Sequence, residues 1–541
     1  MIYKNRLVII LLLIFSICLT GCKNKKSDAD PSKDLNIALG EIPSTMDPQK
    51  AADQGSIQYL VPWCATLFKV TSQNMLEPML AESYEISEDG LKYTIHLKDG
   101  IFYSDGSEIE AEDFAFAIRR IVDPWEASSA VYLFNSISKI KNVDGVIAGE
   151  LPMEKLGVSA ADDKTLVIEL ENPCAYFLFL LTKVCTAPCK ESFYKECGGN
   201  YCTSPETMLS SGAFIVDKYE VLGTETRYKK NPYYLFADKV SLPGLLIRKV
   251  SNTQQSEMLY QSGAMDFIQV SRDFLVLSLD DKNLKNIRSN ASFFLVGSFK
   301  NSRAWANKNI RIAINKSIDR EAICKDYFKL GADPMTRVVP EGFASEPDGS
   351  DFVKDRDKYY DICGFDKDKA LDYWNKGLKE LGLSKLNIEL SGSGGNTDLY
   401  EILKNQLESN LPGFELDIKT CDSAEYMSKL NSGNYELMLT GWGADYPDPD
   451  SFLNYWKIGA STNTMGFDGK EFSELMTKAS YEPDPEKRMD HLHKAEDKIM
   501  EDIPMVPLYV KSNSYLISDR VKNLEINEAS DVIIADFAEK R

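Results

Sequence analysis

The sequence predicts an α/β protein built from more than one lobe, and three observations carry this. Runs that read as strands, from Leu386 to Leu390 and from Phe414 to Ile418, alternate with runs at helical spacing such as Asp398 to Ser409, the pattern of open α/β sheets. The hydrophobic fraction of 43% and charged fraction of 27% are those of a soluble globular chain. A length of 541 residues, less an N-terminal segment, is too much for one hydrophobic core, so two or three domains are expected.

The N-terminus predicts where the protein works. Lys4 and Arg6 precede an apolar run from Leu7 to Leu19, the charge and length of a signal peptide over residues 1–21. Spanning a bilayer takes about 20 apolar residues, so the run is too short for a stable transmembrane helix. It ends in Leu19-Thr20-Gly21-Cys22, which resembles a bacterial lipobox and implies cleavage before Cys22 and its lipidation; the alternative is an ordinary secretory signal. Acyl chains on that cysteine would anchor the protein to the cell membrane, outside the cytoplasm. Residues 22–34 have almost nothing to bury and read as a flexible tether.

Leu35 to Leu39 reads as the first strand. From Tyr93 to Lys98, Tyr93, Ile95 and Leu97 alternate with Thr94, His96 and Lys98, so one face is buried and one is wet. Asp99-Gly100 and Asp105-Gly106 are expected to turn the chain into hairpins. Phe114, Ile118 and Ile121 then recur at helical spacing, and Asp123-Pro124 ends that helix.

The order Ala81-Glu82-Ser83-Tyr84, Asp89-Gly90, Tyr103-Ser104-Asp105-Gly106, Ala111-Glu112-Asp113-Phe114 and Asp123-Pro124 resembles the extracellular solute-binding proteins of peptide and nickel ABC importers. The likeness continues through Asn172-Pro173, Ser211-Gly212-Ala213-Phe214 and Lys230-Asn231-Pro232-Tyr233-Tyr234. It runs on through Asn309 to Ile314, Ile318-Asp319-Arg320 and Ile503 to Tyr509. Each tetrapeptide alone is weak; their colinear order over most of the chain is strong. The resemblance implies a three-lobed, periplasmic-binding-protein-like α/β fold in which two lobes close about a hinge. Lobe I would be residues 35–64, 185–293 and 504–541, lobe II residues 65–184 and lobe III residues 294–503. It also implies an oligopeptide ligand, an ABC permease with ATPase subunits as partners, and a monomer without cofactor.

A formal net charge of −20 argues against nucleic acid as a partner. Cys64, Cys174, Cys185, Cys189, Cys197, Cys202, Cys324, Cys363 and Cys421 form an odd set, which leaves free thiols, a local disulfide or a zinc site open; no Cys-x-x-Cys pair favours metal. The three histidines, His96, His491 and His493, make no metal pair. Neither a His-Glu-x-x-His nor a Gly-x-Ser-x-Gly motif occurs. The run Ser391-Gly392-Ser393-Gly394-Gly395 lacks the Lys-Ser/Thr of a phosphate-binding loop and reads as a tight strand-to-helix turn or a backbone loop along a ligand. An enzyme, such as an extracytoplasmic hydrolase, is therefore the lesser reading.

What remains is Gly441-Trp442-Gly443-Ala444-Asp445-Tyr446-Pro447-Asp448-Pro449-Asp450, a loop after the strand-like run from Tyr435 to Thr440. It sets a carboxylate between Trp442 and Tyr446 in sequence. By the resemblance, Asp445 pairs with a peptide's α-ammonium and Trp442 and Gly443 line the same pocket. The physics agrees: a buried ammonium is costly unless paired, and an indole face adds about 0.5–2 kcal/mol of cation–π attraction. Tyr446, Asp53, Gln54 and Tyr509 complete the expected ligand-binding set. Asp448 and Asp450 read as turn and cap residues. Leu439 stands where some relatives carry a basic residue that meets the ligand's carboxylate, so this loop fixes one end of a peptide only. The same fold could instead hold a dipeptide, a metal chelate, an oligosaccharide or a signalling peptide.

Overall fold

The computed structural model describes residues 31–71, 74–527 and 531–541; the signal peptide, Cys22 and most of the tether lie outside the described residues. Its spine is one large mixed sheet. In spatial order the strands are Phe414–Cys421, Leu386–Ser393, Leu437–Gly443, Leu284–Gly297, Met505–Ile517, Phe267–Gln269, Leu35–Leu39, Gly244–Lys249, Glu225–Lys230 and Phe214–Lys218, with Ala332–Pro334 added against Met505–Ile517. The first strand falls where the apolar pattern predicts it. So do the strands beginning at Leu386 and Phe414, which pair in parallel through the connecting helix Thr397–Asn410.

Layers on both faces explain the apolar runs in the central strands. Along Leu437–Gly443, Leu437 and Leu439 enter a core with Trp305, Trp374 and Tyr400. Met438, between them, points the other way into a core with Phe294, Trp456 and Phe472. The Gly-rich run is a packing turn: a Cβ on Gly392 would sit 2.4 Å from the Tyr400 ring, and the Tyr400 hydroxyl takes the Ser393 N–H at 3.0 Å. Glycine there lets the following helix dock on its own strand.

A second, four-stranded sheet orders Ala81–Ile86, Lys92–Leu97, Thr165–Glu169 and Val158–Asp162. Tyr93, Ile95 and Leu97 are its buried face, met by Phe114, Ile118 and Ile121 of the helix Ala111–Val122. That helix opens on a capping box between Glu110 and Asp113 and stops at Asp123, ahead of Pro124. One hairpin differs from expectation. Asp105-Gly106 closes a short hairpin with the bridge Phe102 to Glu108, but Asp99-Gly100 only turns the chain out of its strand. Both edges of Lys92–Leu97 are already taken, by Ala81–Ile86 and Thr165–Glu169.

Two long strands join the halves of the large sheet. Leu284–Gly297 pairs antiparallel with Met505–Ile517 in two stretches, Leu284 to Arg288 against Leu516 to Ser512 and Ser292 to Val296 against Val510 to Met505. Between them, at Ser289, Asn290 and Ala291, the register breaks. A break of this kind bends and twists a strand pair locally, and these three residues form part of the floor of a cleft.

Candidate functional site

The cleft encloses about 890 Å³, near the upper end of the ~300–1,000 Å³ typical of ligand pockets. One wall is the end of strand Leu437–Gly443 and the loop behind it: Gly443, Ala444, Asp445 and Pro447. The facing wall includes Tyr132, Thr182 and Lys183, and Gln54 contributes from the start of helix Gln54–Leu60.

The strand end is built for close approach. A Cβ on Gly441 would meet the Phe293 ring at 2.8 Å and the Ser292 carbonyl at 2.9 Å, whereas one on Gly443 would meet nothing within 4 Å. On one side the strand is paired with Leu284–Gly297 as far as Gly443. On the other, only Leu437 and Met438 are paired with a strand. Beyond Met438 the outer edge therefore has no partner strand among the described residues, and it leads straight to Asp445.

Asp445 is held from two directions. Its backbone N–H donates to Ser451 Oγ at 3.0 Å, and its Oδ1 accepts from the Tyr132 hydroxyl at 3.3 Å. Burial raises the proton affinity of its carboxyl; the nearby Lys183 ammonium and the Tyr132 phenol act against that, and the net shift is upward. Lys183 mirrors it: burial lowers the ammonium's proton affinity, Asp445 supports it, and the net shift is downward. This wall thus holds a carboxylate with incomplete solvation and few hydrogen bonds, which a ligand cation would complete.

The other expected residues divide. Gln54 and Gly443 join Asp445 at the cleft. Trp442 lies beside it but does not line it: its Nε1 donates to the Ser451 carbonyl at 2.7 Å and its ring meets Tyr455 edge-on at 5.2 Å. Tyr446 is turned inward, its ring stacked on Tyr176 at 4.0 Å and its hydroxyl donating to Asp450 Oδ2 at 2.9 Å. Tyr509 is buried and stacks at 4.9 Å on Phe293, whose ring does line the cleft. Asp53 is the N-cap of helix Gln54–Leu60 and accepts from Ser44 Oγ at 2.6 Å and from Ser56 N and Oγ at 2.8 Å. Burial opposes its ionisation, but these hydrogen bonds outweigh it and the carboxyl sits below its ordinary range. Leu439 is buried in the core, away from the cleft.

Beneath the loop Asp448 makes its turn, accepting the Asp450 N–H at 2.9 Å. It also forms a two-pronged ion pair with Arg488, both contacts 2.8 Å, with both residues buried. The C-terminal segment brings further carboxylates that the sequence did not single out. Asp531 accepts from Tyr515 and, at 2.7 Å, from Asn513 Nδ2. Asp536 accepts from the Tyr234 hydroxyl at 3.1 Å, and burial pushes its carboxyl up to about 6.

None of the three histidines lines the cleft. Cys64 and Cys185 do, but burial raises both thiols, Cys185 to about 12, so neither is a thiolate nucleophile at neutral pH. All nine cysteines in the described residues are free thiols. Among the described residues no three His, Cys, Asp or Glu side chains gather as a metal site, and no helix is long and apolar enough to cross a membrane.

A sequence model described as bacterial extracellular solute-binding proteins, family 5, matches residues 75–464. A dipeptide-binding protein of Lactococcus lactis is 28% identical over 529 residues, covering 94% of each chain. The oligopeptide-binding protein OppA of Bacillus subtilis is 26% identical over 544 residues, covering 96% of this chain and 97% of that protein. Among solved structures, Listeria monocytogenes OppA bound to peptide superposes with a TM-score of 0.73 at 28% identity, covering 94% of this chain and 99% of that chain. The mixed α/β, multi-lobed architecture is shared with that structure along almost the whole of both chains.

Proposed function

The chain belongs to family 5 of the bacterial extracellular solute-binding proteins, and from that premise we propose that it captures oligopeptides outside the cell by their α-ammonium and backbone and delivers them to an ABC permease. The observation that carries the reading is Asp445, a poorly solvated carboxylate at the cleft wall, placed directly after a strand edge that has no partner strand among the described residues beyond Met438. The α-ammonium gains a charge-assisted hydrogen bond there, and the peptide backbone runs along the strand end at Gly443. Backbone pairing reads no side chains, which suits a receptor that accepts many sequences.

In this reading Gly443 and Gln54 border the ligand, Trp442 and Tyr446 hold the loop, Tyr509 props Phe293, and Asp53 fixes the helix that presents Gln54. Residues 35–64, 185–293 and 504–541 form lobe I, 65–184 lobe II and 294–503 lobe III. Closure bends the strand pair near the register break at Ser289–Ala291, and a ligand touching both walls favours the closed state. Cys22 carries the lipid that tethers the receptor to the membrane, and the protein works as a monomer without catalysis.

The relative named as a dipeptide-binding protein raises a shorter ligand as the second reading. A cleft of about 890 Å³ favours the longer one. Mass spectrometry of ligands co-purified with the protein, followed by calorimetry with a mixed peptide library, tests the proposal. Intact peptides of several residues are expected; sugars, turnover products or dipeptides alone would remove it.

A further inference from the structure

Lys183 is the cleft cation that the amine-anchor reading leaves without a task. Of the other lysines at the cleft, Lys69 pairs with Glu77 at 3.1 Å, Lys239 lies 5.3 Å from the centre of the Phe236 ring, and Lys511 sits in the field of Asp531, away from the amine anchor. Lys183 feels Asp445 but, among the described residues, makes no ion pair with it or with any other carboxylate. Its backbone is pinned. The N–H donates to the Leu180 carbonyl at 3.2 Å, and its carbonyl accepts both the N–H and the hydroxyl of Thr186 at 2.8 Å. The Lys183 backbone is therefore fixed at the cleft lining, within electrostatic reach of Asp445.

Charge counting gives this placement a consequence. In the unliganded cleft Asp445 and Lys183 balance each other at a distance. When a ligand ammonium occupies Asp445, the carboxylate that acts on Lys183 is shared between two cations, and a cation left unpaired in a site of restricted solvation is costly. A carboxylate on the ligand, close to its ammonium, offsets the second cation and supplies Lys183 with the acceptor it lacks. We propose that Lys183 is a specificity-determining residue that binds a carboxylate carried within a residue or two of the ligand's α-ammonium. The inference rests on the amine anchor at Asp445. Two sources carry that chemistry: an Asp or Glu side chain near the peptide's N-terminus, or the terminal carboxylate of a dipeptide.

Calorimetric titration tests it with Ala-Glu-Ala-Ala-Ala, Glu-Ala-Ala-Ala-Ala and Ala-Gln-Ala-Ala-Ala, and with Ala-Ala against its C-terminal amide, on the full mature chain and on Lys183→Met and Lys183→Arg. The expected result is at least tenfold tighter binding of one acidic peptide over the glutamine peptide, or of Ala-Ala over its amide. Which contrast appears identifies the source. Lys183→Met should collapse that ratio to within about twofold, by weakening the acidic ligand and tightening the neutral one, and Lys183→Arg should restore it. No preference in either series, or a preference that survives Lys183→Met, overturns the proposal. The N-acetylated glutamine peptide separates the two ideas: if it binds as well as the free one, the amine anchor fails, whatever the acidic contrast shows.

Discussion

The Tyr132 hydroxyl donates to Asp445 Oδ1 at 3.3 Å across 313 residues of sequence, so the two walls of the cleft already meet at the carboxylate assigned to the ligand's amine. The phenol orients the carboxylate and supports its charge. Tyr132→Phe keeps the ring and removes that donor. Peptide affinity is expected to fall two- to tenfold, the worth of one hydrogen bond of about 0.5–1.5 kcal/mol, as read by calorimetry. Tyr446→Phe, which removes a donor to Asp450 inside the protein, should lower stability instead and leave affinity within about twofold.

Affinity should also depend on pH through Asp445. Its carboxyl sits above its ordinary value of 3.8 because burial outweighs Lys183 and Tyr132. Binding an ammonium requires the carboxylate, so affinity is lost as pH falls through the raised value, at a higher pH than for an unperturbed aspartate. Within that window binding must expel a proton. Titrations in two buffers of different ionisation enthalpy measure it, and the released proton should vanish in Asp445→Asn.

Asp536 gives a stability prediction of the opposite sense to an ordinary ion-paired aspartate. Burial raises its carboxyl from 3.8 to about 6, so between those values the folded protein holds a proton that the unfolded chain has lost, and stability falls as pH rises. Above the window the cost reaches at most about 3 kcal/mol. Asp536→Asn keeps an acceptor for the Tyr234 hydroxyl. It should raise the denaturation midpoint at pH 7.5 and make no difference at pH 3.5.

Much of this architecture is legible in the sequence because it is local. The apolar spacing of Phe114, Ile118 and Ile121 and the stop at Asp123-Pro124 specify the helix Ala111–Val122 almost to the residue. The turn chemistry of Asp448 is likewise a matter of its neighbours. The partners that make the site are not local. Tyr132, Lys183 and Arg488 reach the loop from distant segments, and nothing in the residues beside them marks them out. Aromatic residues mislead for the converse reason: Tyr446 and Tyr509 occur in motifs that run along the cleft, but a ring released into a core buries more apolar area than one left at a wall, and both turned inward.

The buried pair under the loop should be as critical as the anchor above it. Arg488→Leu leaves Asp448 without its counter-charge, close to a second buried carboxylate, Asp450. Breaking a buried pair on one side typically costs about 3–5 kcal/mol. Chemical denaturation should show a loss of that order. The double variant Arg488→Leu, Asp448→Leu should recover part of it, because Asp448 is then no longer stranded and Asp450 alone is left without Arg488.

The central claim is that Asp445 holds the ligand by its free amine. Calorimetric titration of the wild-type protein and Asp445→Ala, each with one peptide in free and N-acetylated form, tests it most directly. The account predicts that either change weakens binding more than tenfold, at least about 1.4 kcal/mol, that the two losses do not add, and that circular dichroism of the variant is unchanged. Equal affinity of the free and acetylated peptides for the wild-type protein, or undiminished binding by Asp445→Ala, would contradict it.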